Sequence, residues 1–330
     1  MSLIVTKNLT TGYSTSKSKT ILSEKVNVNL KKGEVVGLMG QNGVGKTTFL
    51  KTVAGILKPI DGTVEVGGVD VTVMPKPELA RRLSIVLTEK PAAGNLSVLE
   101  LIAIGRYPYS HWLGILNNKD REVIEWALSI TNTNYLANRK LGELSDGQLQ
   151  KVMIARALAQ ETGIILLDEP GSHLDMSNKI ELVKLLKKIS DAGKGVLIST
   201  HDIFLATELA TELWLFDFQK PVICGCPEDL ILNGSLSEAL YLGHHNYDFV
   251  HGGFEDLGAD DSTLSIRFEG DENVIYWLRK ACKRNRISED VNASITVKCK
   301  DEFDIVEGGE STKVSSIAQV LSLLKTRIDS

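Results

Sequence analysis

Cysteine, long apolar runs and excess positive charge are all scarce in this chain of 330 residues. Its four cysteines are Cys224, Cys226, Cys282 and Cys299. Their one close pair is Cys-x-Cys, not the two-residue gap of common zinc and redox sites, so they read as reduced thiols without a metal or disulfide role. No stretch reaches the length of a membrane span, and Met1-Ser2-Leu3-Ile4-Val5-Thr6-Lys7 lacks the charged start and apolar core of a signal peptide. A protein that neither crosses a membrane nor is exported is expected. With 37 Lys and Arg against 42 Asp and Glu, a net charge of -5, the chain shows no basic balance of the kind a general nucleic-acid binder needs. No nucleic-acid partner is expected. What is present, 43% hydrophobic and 24% charged residues, is enough to bury a sizeable core, as one large domain plus a small one.

The most informative segment is Gly40-Gln41-Asn42-Gly43-Val44-Gly45-Lys46-Thr47, followed by Thr48. It fits G-x-x-x-x-G-K-[ST], in which glycines let backbone N–H groups curl around a phosphate, the lysine reaches the β and γ oxygens, and the hydroxyl ligates Mg²⁺. From average residue usage such a match arises by chance roughly once per hundred chains of this length, so context has to carry weight. Upstream, Glu34 to Met39 reads as a short buried strand; downstream, Thr47 to Ala54 has the 3.6 periodicity of a helix. The loop then sits at a helix N-terminus, where unpaired N–H groups and the macrodipole favour an anion. A nucleoside triphosphate with Mg²⁺ is the expected ligand, and a merely structural glycine turn is the alternative.

Short alternating segments in the first seventy residues, such as Val26 to Leu30 and Thr63 to Val66, with turn signals at Lys32-Gly33, Asp61-Gly62 and Gly67-Gly68, predict an antiparallel sheet beside the loop. Apolar runs at Leu83 to Leu87, Ile164 to Leu167, Val196 to Ser199 and Leu213 to Phe216 predict strands buried on both faces, hence a largely parallel, helix-covered sheet. Between Leu96 and Gln160 helical signals take over, including a capping-box pattern at Ser97 to Glu100 and a helix over Asp120 to Ile130. The acidic, glycine-rich stretch from His245 to Asp261 reads as a linker, with His244, His245 and His251 as solvated residues and not metal ligands. Beyond it, strands at Thr263 to Phe268, Ser294 to Val297 and Phe303 to Val306, a helical stripe through Val274, Trp277, Leu278, Ala281 and Cys282, and a last helix from Val314 to Ile328 predict a β-α-β-β-α module. Its basic run, Lys280, Lys283, Arg284 and Arg286, reads as the solvated back of the first of those helices, with a phosphate or partner surface as the alternative.

Ile164-Ile165-Leu166-Leu167-Asp168-Glu169-Pro170 places two acids at the end of a buried strand, where parallel sheets carry ligand sites. Burying an unpaired carboxylate is costly, so both should face a cation or solvent. Asp168 suits an outer-shell Mg²⁺ contact and Glu169 the activation of a water. Leu144-Ser145-Asp146-Gly147-Gln148 opens a second helix with Ser145 as N-cap and Gly147 allowing close backbone approach. A second anion-binding helix start is redundant within one copy, which predicts a head-to-tail dimer with two nucleotides at its interface.

With these segments together, the chain resembles the ABC-type ATPases, the nucleotide-binding subunits of membrane transporters. Residues 40–47 match the Walker A loop, 164–169 the Walker B strand, 144–148 the LSGGQ signature, Ser172-His173-Leu174-Asp175 the D-loop and His201 the switch histidine. The resemblance implies an ATPase domain over residues 1–244 with a helical subdomain at about 90–160, a linker at 245–261 and an accessory α+β domain at 262–330. It implies that Lys46 and His201 hold the γ-phosphate, Thr47 and Asp168 hold Mg²⁺, Glu169 is the general base, Tyr13 stacks on adenine, and Ser145, Gly147, Gln148 and Asp175 act on the nucleotide of a second copy. Two positions depart from the family pattern. Asp146 stands where the signature has its first glycine, and Glu89 where a Q-loop glutamine is usual; Glu89 is expected to contact Mg²⁺ and still link nucleotide state to a membrane partner.

The stretch Gly94 to Tyr109, including Arg106, resembles that of importers for iron-siderophore, haem or cobalamin chelates. This implies a homodimer on the cytoplasmic face of the inner membrane, beneath integral permease subunits and served indirectly by an extracytoplasmic binding protein. An exporter ATPase is the runner-up. A soluble ABC ATPase is disfavoured because the motifs occur once and no long coiled-coil insertion separates Lys46 from Ser145.

Overall fold

A computed structural model describes residues 1–14, 18–89, 95–109, 116–218, 220–240, 266–285, 287, 294–299, 302–307 and 310–328. Strand β1 (Ser2–Ser14) is the long arm of an antiparallel sheet, and β2 (Lys19–Val26) and β3 (Asn29–Lys31) lie end to end along it. The single strand expected at Val26 to Leu30 is therefore two. Lys25 turns through a φ of 51°, and the Thr6 hydroxyl bridges the break, donating to Val26 O and accepting from Val28 N, both at 2.9 Å. A side chain there satisfies backbone groups that a continuous ladder would have paired.

Strand β4 (Val35–Met39) is buried at every position and leads into the loop before helix α1 (Lys46–Val53). Strand β5 (Asp61–Val66) pairs with β1, and β6 (Val69–Asp70) folds back on β5 through Gly67-Gly68. Both glycines have positive φ, 57° and 78°, the left-handed pair that a tight two-residue hairpin demands. Helix α2 (Lys76–Arg82) runs into β7 (Leu83–Val86). Next come α3 (Val98–Ile104), α4 (Asn118–Ile130) and α5 (Asp146–Ala159), the helical insertion. The capping box expected at α3 is formed by Ser97 and Glu100. Arg106, buried, donates to Asp120 at 2.8 Å and to Ala159 O and Glu161 at 2.7 Å, and lies 4.4 Å over the Tyr109 ring. It pins the turn after α3 to the start of α4 and the end of α5.

Strand β8 (Ile164–Asp168), α6 (Met176–Asp191), β9 (Gly195–Ser199), α7 (Ile203–Leu209), β10 (Glu212–Leu215), β11 (Ile223–Gly225), α8 (Pro227–Leu232) and α9 (Ser235–Leu240) complete the core. The central sheet runs β11-β10-β4-β9-β8-β7, parallel throughout except for the edge strand β11. The continuous apolar runs form these parallel strands, as expected of strands covered on both faces. The carboxyl ends of β4, β8 and β9 thus share one edge of the sheet and bring the glycine loop, Asp168 and Glu169, and His201 together there.

The C-terminal elements are β12 (Arg267–Gly270), α10 (Glu272–Arg284), β13 (Ser294–Cys299), β14 (Glu302–Glu307), β15 (Glu310–Val314) and α11 (Ile317–Ile328), with sheet order β12-β13-β14-β15. Strand β15 is an addition to the expected module, and Val314 belongs to it rather than to the last helix. Its sequence, Glu-Ser-Thr-Lys-Val, has one apolar residue, so no periodicity announces it; it is held as an edge strand by pairing with β14, Val314 opposite Phe303. One apolar cluster joins this module to the core, with Leu213, Leu230 and Leu236 on one side and Trp277, Phe303 and Leu321 on the other.

The basic run is not simply a solvated face. The Arg284 side chain, 4% exposed, donates to both carboxylate oxygens of the fully buried Glu228 and, at 3.1 Å, to Thr207 O at the end of α7. Position 284 follows Ala281 by three residues and so continues the apolar stripe into the interface. Lys280 pairs with Glu208 at 2.9 Å, while the side chains of Lys283 and Arg286 lie outside the described residues. So do the expected linker and its three histidines.

Candidate functional site

The loop between β4 and α1 is shaped by glycines that no other residue replaces cheaply. A Cβ on Gly40 (φ 148°) would fall 2.2 Å from Phe216 O, and one on Gly45 (φ 109°) 2.8 Å from Leu22 Cβ; Gly43 has φ 85°. Gly45 is the N-cap of α1 and supplies no side chain to its first N–H groups, which leaves them directed at whatever the loop encloses. Asn42 and Gly43 are exposed and Val44 is buried. The side-chain amide nitrogen of Gln41 is buried and unpartnered, a donor awaiting an acceptor in the cradle.

Lys46 is 6% exposed and arches back across the loop, donating to Gly40 O at 2.7 Å and Gln41 O at 3.0 Å, with Glu169 3.8 Å away. Burial lowers the pKa of its ammonium, an effect that Glu169 and then Asp168 partly offset. A phosphate placed beside it would add the compensating charge that two carbonyl oxygens do not provide.

Asp168, 4% exposed, ends β8. Thr47 Oγ1 lies 3.0 and 2.9 Å from its two carboxylate oxygens. Adjacent hydroxyl and carboxylate oxygens are the hard donors that suit Mg²⁺. Ser199 Oγ donates to Oδ1 at 2.6 Å, and Thr88 Oγ1 is 3.1 Å from Oδ2. Glu169 follows with a left-handed φ of 47°, a conformation with a backbone cost that neighbours must hold. Its N–H donates to Ser199 O and Oγ at 3.0 Å, and its carbonyl accepts from Ser172 Oγ at 2.8 Å. Its carboxylate is 2.8 Å from His201 Nδ1. The side chain of His201 is 57% exposed, so the pair opens to the surface.

Lys46, Thr47, Asp168, Glu169 and His201 are thus gathered at one sheet edge. Tyr13 joins their border: half exposed, it meets Thr48 Oγ1 at 3.1 Å through its hydroxyl. Glu89 stands apart, its carboxylate 3.6 Å from Lys51 and 82% exposed. Ser145 caps α5 in a capping box with Gln148, and both are occupied in that cap. Gly147 packs α5 onto α6, where an added Cβ would meet Asn178 Oδ1 at 2.7 Å, and Asp175 caps α6 through Asn178 N–H.

The sequence motifs assign no role to Ser199, Thr88 or Ser172, although Ser172 opens the D-loop segment. Ser199 carries a second signal, a hydroxyl closing an apolar strand directly before Thr200 and His201.

A family model described as ABC transporter matches residues 23–172. The chain is 36% identical over 249 residues to the achromobactin transport ATP-binding protein of Dickeya dadantii, covering 75% of this chain and 89% of that one. Among solved structures, it resembles a metal-chelate type ABC transporter in an inward-facing conformation, at TM-score 0.64 and 28% identity over 73% of this chain and 90% of the other. It also resembles a dimeric bacterial ABC transporter cassette, at TM-score 0.60 and 28% identity over 68% of this chain and 99% of the other.

Proposed function

This chain belongs to the family of ATP-binding subunits of ABC transporters, and we propose on that footing that it hydrolyses ATP to drive uptake of a metal chelate of the iron-siderophore, haem or cobalamin class. The observation that carries the hydrolytic reading is the convergence of Lys46, Glu169 and His201 at the loop, with Thr47 and Asp168 beside them; similarity to the achromobactin transport protein supports the transport reading.

The N–H groups from Gly40 to Thr48 cradle the phosphates, Lys46 and His201 take the γ-phosphate, and Tyr13 stacks on adenine. Thr47 and Asp168 would hold Mg²⁺, and Glu89 would be a further oxygen donor to it. The ion would supply charge neutralisation for the phosphates. Glu169, kept at the mouth of β8 by Ser199 and Ser172, accepts the proton of the attacking water as the bond to the leaving diphosphate breaks. Catalysis of this kind is mainly positioning and charge neutralisation.

The exposed Ser145 and Asp175, with Gly147 and Gln148, face the nucleotide of a second copy, so that two ATP molecules close a homodimer. The dimeric relative supports this arrangement. The dimer sits on the cytoplasmic face of the inner membrane against permease subunits fed by an extracytoplasmic binding protein. Residues 1–244 form the ATPase domain and 262–330 the accessory one. Among the described residues no helix is long and apolar enough to cross a membrane.

The test is reconstitution with candidate permease subunits in vesicles and measurement of ATP-dependent movement of a radiolabelled ferric siderophore, haem or cobalamin. Accumulation of one of these in the import direction supports the reading; ATP turnover with export only, or with no permease association, overturns it.

A further inference from the structure

The Asp168 carboxylate receives hydroxyls from three elements, and they do different things. Thr47 Oγ1 is nearly equidistant from both oxygens, at 3.0 and 2.9 Å, so it does not fix the rotation of the group. Ser199 Oγ reaches Oδ1 alone, at 2.6 Å. Thr88 Oγ1 reaches Oδ2, at 3.1 Å, and the Asp168 carbonyl at the same distance. Donors on opposite oxygens set the plane of a carboxylate; with one removed, the plane can turn about the other. Groups of this kind behind a metal ligand orient it and tune its affinity.

Thr88 also lies directly before Glu89, on the segment leaving β7, and lines a narrow cleft with Asp146, Gln150 and Glu169. Glu89 itself is turned toward Lys51. The hydroxyl of Thr88 is therefore the link between this segment and the metal-site carboxylate.

We propose that Thr88 is a positioning residue for the metal-bound nucleotide: its hydroxyl sets the plane of Asp168 and couples that plane to the segment carrying Glu89. The inference rests on the assignment of Asp168 to Mg²⁺. Thr47, on that assignment, gives a lone pair to the ion, which leaves Ser199 and Thr88 as the hydroxyls that orient Asp168.

The test is binding of a fluorescent ATP analogue to the full chain, with Mg²⁺ and in EDTA, for the parent, Thr88→Val, Thr88→Ser and Asp168→Asn. Thr88 is exposed, so the isosteric valine leaves the fold intact, and water competing for the site keeps the effect at the low end of the usual range for such groups. Thr88→Val is expected to weaken the Mg²⁺-dependent affinity about tenfold, with affinity in EDTA unchanged and serine restoring most of the loss. Equal Mg²⁺ dependence in Thr88→Val and parent, or failure of serine to restore it, overturns the role of Thr88 while Asp168→Asn loses the Mg²⁺ gain. An Asp168→Asn protein that keeps the full gain overturns the assignment of Asp168, and the inference with it.

Discussion

Removing Arg284 tests how the accessory module is held. Its guanidinium is 4% exposed and Glu228 is fully buried, with two charge-assisted hydrogen bonds between them and a third bond to Thr207 O. Arg284→Met leaves a carboxylate in an apolar cluster with no partner cation, and breaking one side of such a pair costs about 3–5 kcal/mol. Glu228→Met strands a guanidinium that cannot shed its proton, so its cost belongs at the upper end of that range. The double variant removes both charges and should recover most of the loss, because an apolar pair of similar volume is often neutral or better. The measurement is a double-mutant cycle by urea unfolding, followed by the fluorescence of the buried Trp277 and Trp214. A solvated arginine on the back of a helix would change stability by no more than about 0.5 kcal/mol. A loss below about 1 kcal/mol for Arg284→Met, or two single losses that simply add, refutes the buried pair as the anchor of the module.

Glu169→Gln is expected to bind ATP normally and to lower turnover by about a hundredfold or more, the usual scale for loss of a general base; near-normal steady-state hydrolysis contradicts that role. Glu89→Gln should alter the Mg²⁺ concentration that half-saturates ATPase activity, and equal metal affinity with equal turnover removes Glu89 from the ion's neighbourhood. Burial, then Glu228, pushes the Cys282 thiol up to about 12 from an ordinary value of 9.0. Stability from the neutral thiol is therefore full below pH 9 and is lost as pH rises toward 12. Urea midpoints between those values should fall more steeply in the parent than in Cys282→Ala; parallel slopes refute the shift.

The parts of this molecule that could be read from sequence are those fixed by local chemistry. Gly40 to Thr47 admits few backbone paths, a strand buried on both faces has to be apolar throughout, and two acids closing such a strand need a purpose. The burial of Arg284 and the existence of β15 are not legible because both depend on distant partners: an arginine is buried only if a carboxylate such as Glu228 awaits it, and a polar edge strand exists only because β14 offers a ladder. The contacts that Thr88, Ser172 and Ser199 make are hidden in the sequence for a similar reason. A hydroxyl has no sequence signature until the fold brings an acceptor within about 3 Å, the ordinary hydrogen-bond distance. Val26 to Leu30 reads as continuous because its alternation is intact, and the left-handed Lys25 and the Thr6 hydroxyl reveal where the strand breaks.

The central claim is that each ATP is held between two copies, by the lysine loop of one and the Ser145 helix of the other. Its most direct measurement is disulfide crosslinking in an equimolar mixture of two chains, one carrying Asn42→Cys and the other Ser145→Cys, each with Glu169→Gln to slow hydrolysis. A covalent heterodimer that forms with ATP and not without it is the predicted result. No heterodimer with ATP present, together with an intrachain bond when both substitutions are placed in one chain, would contradict the account.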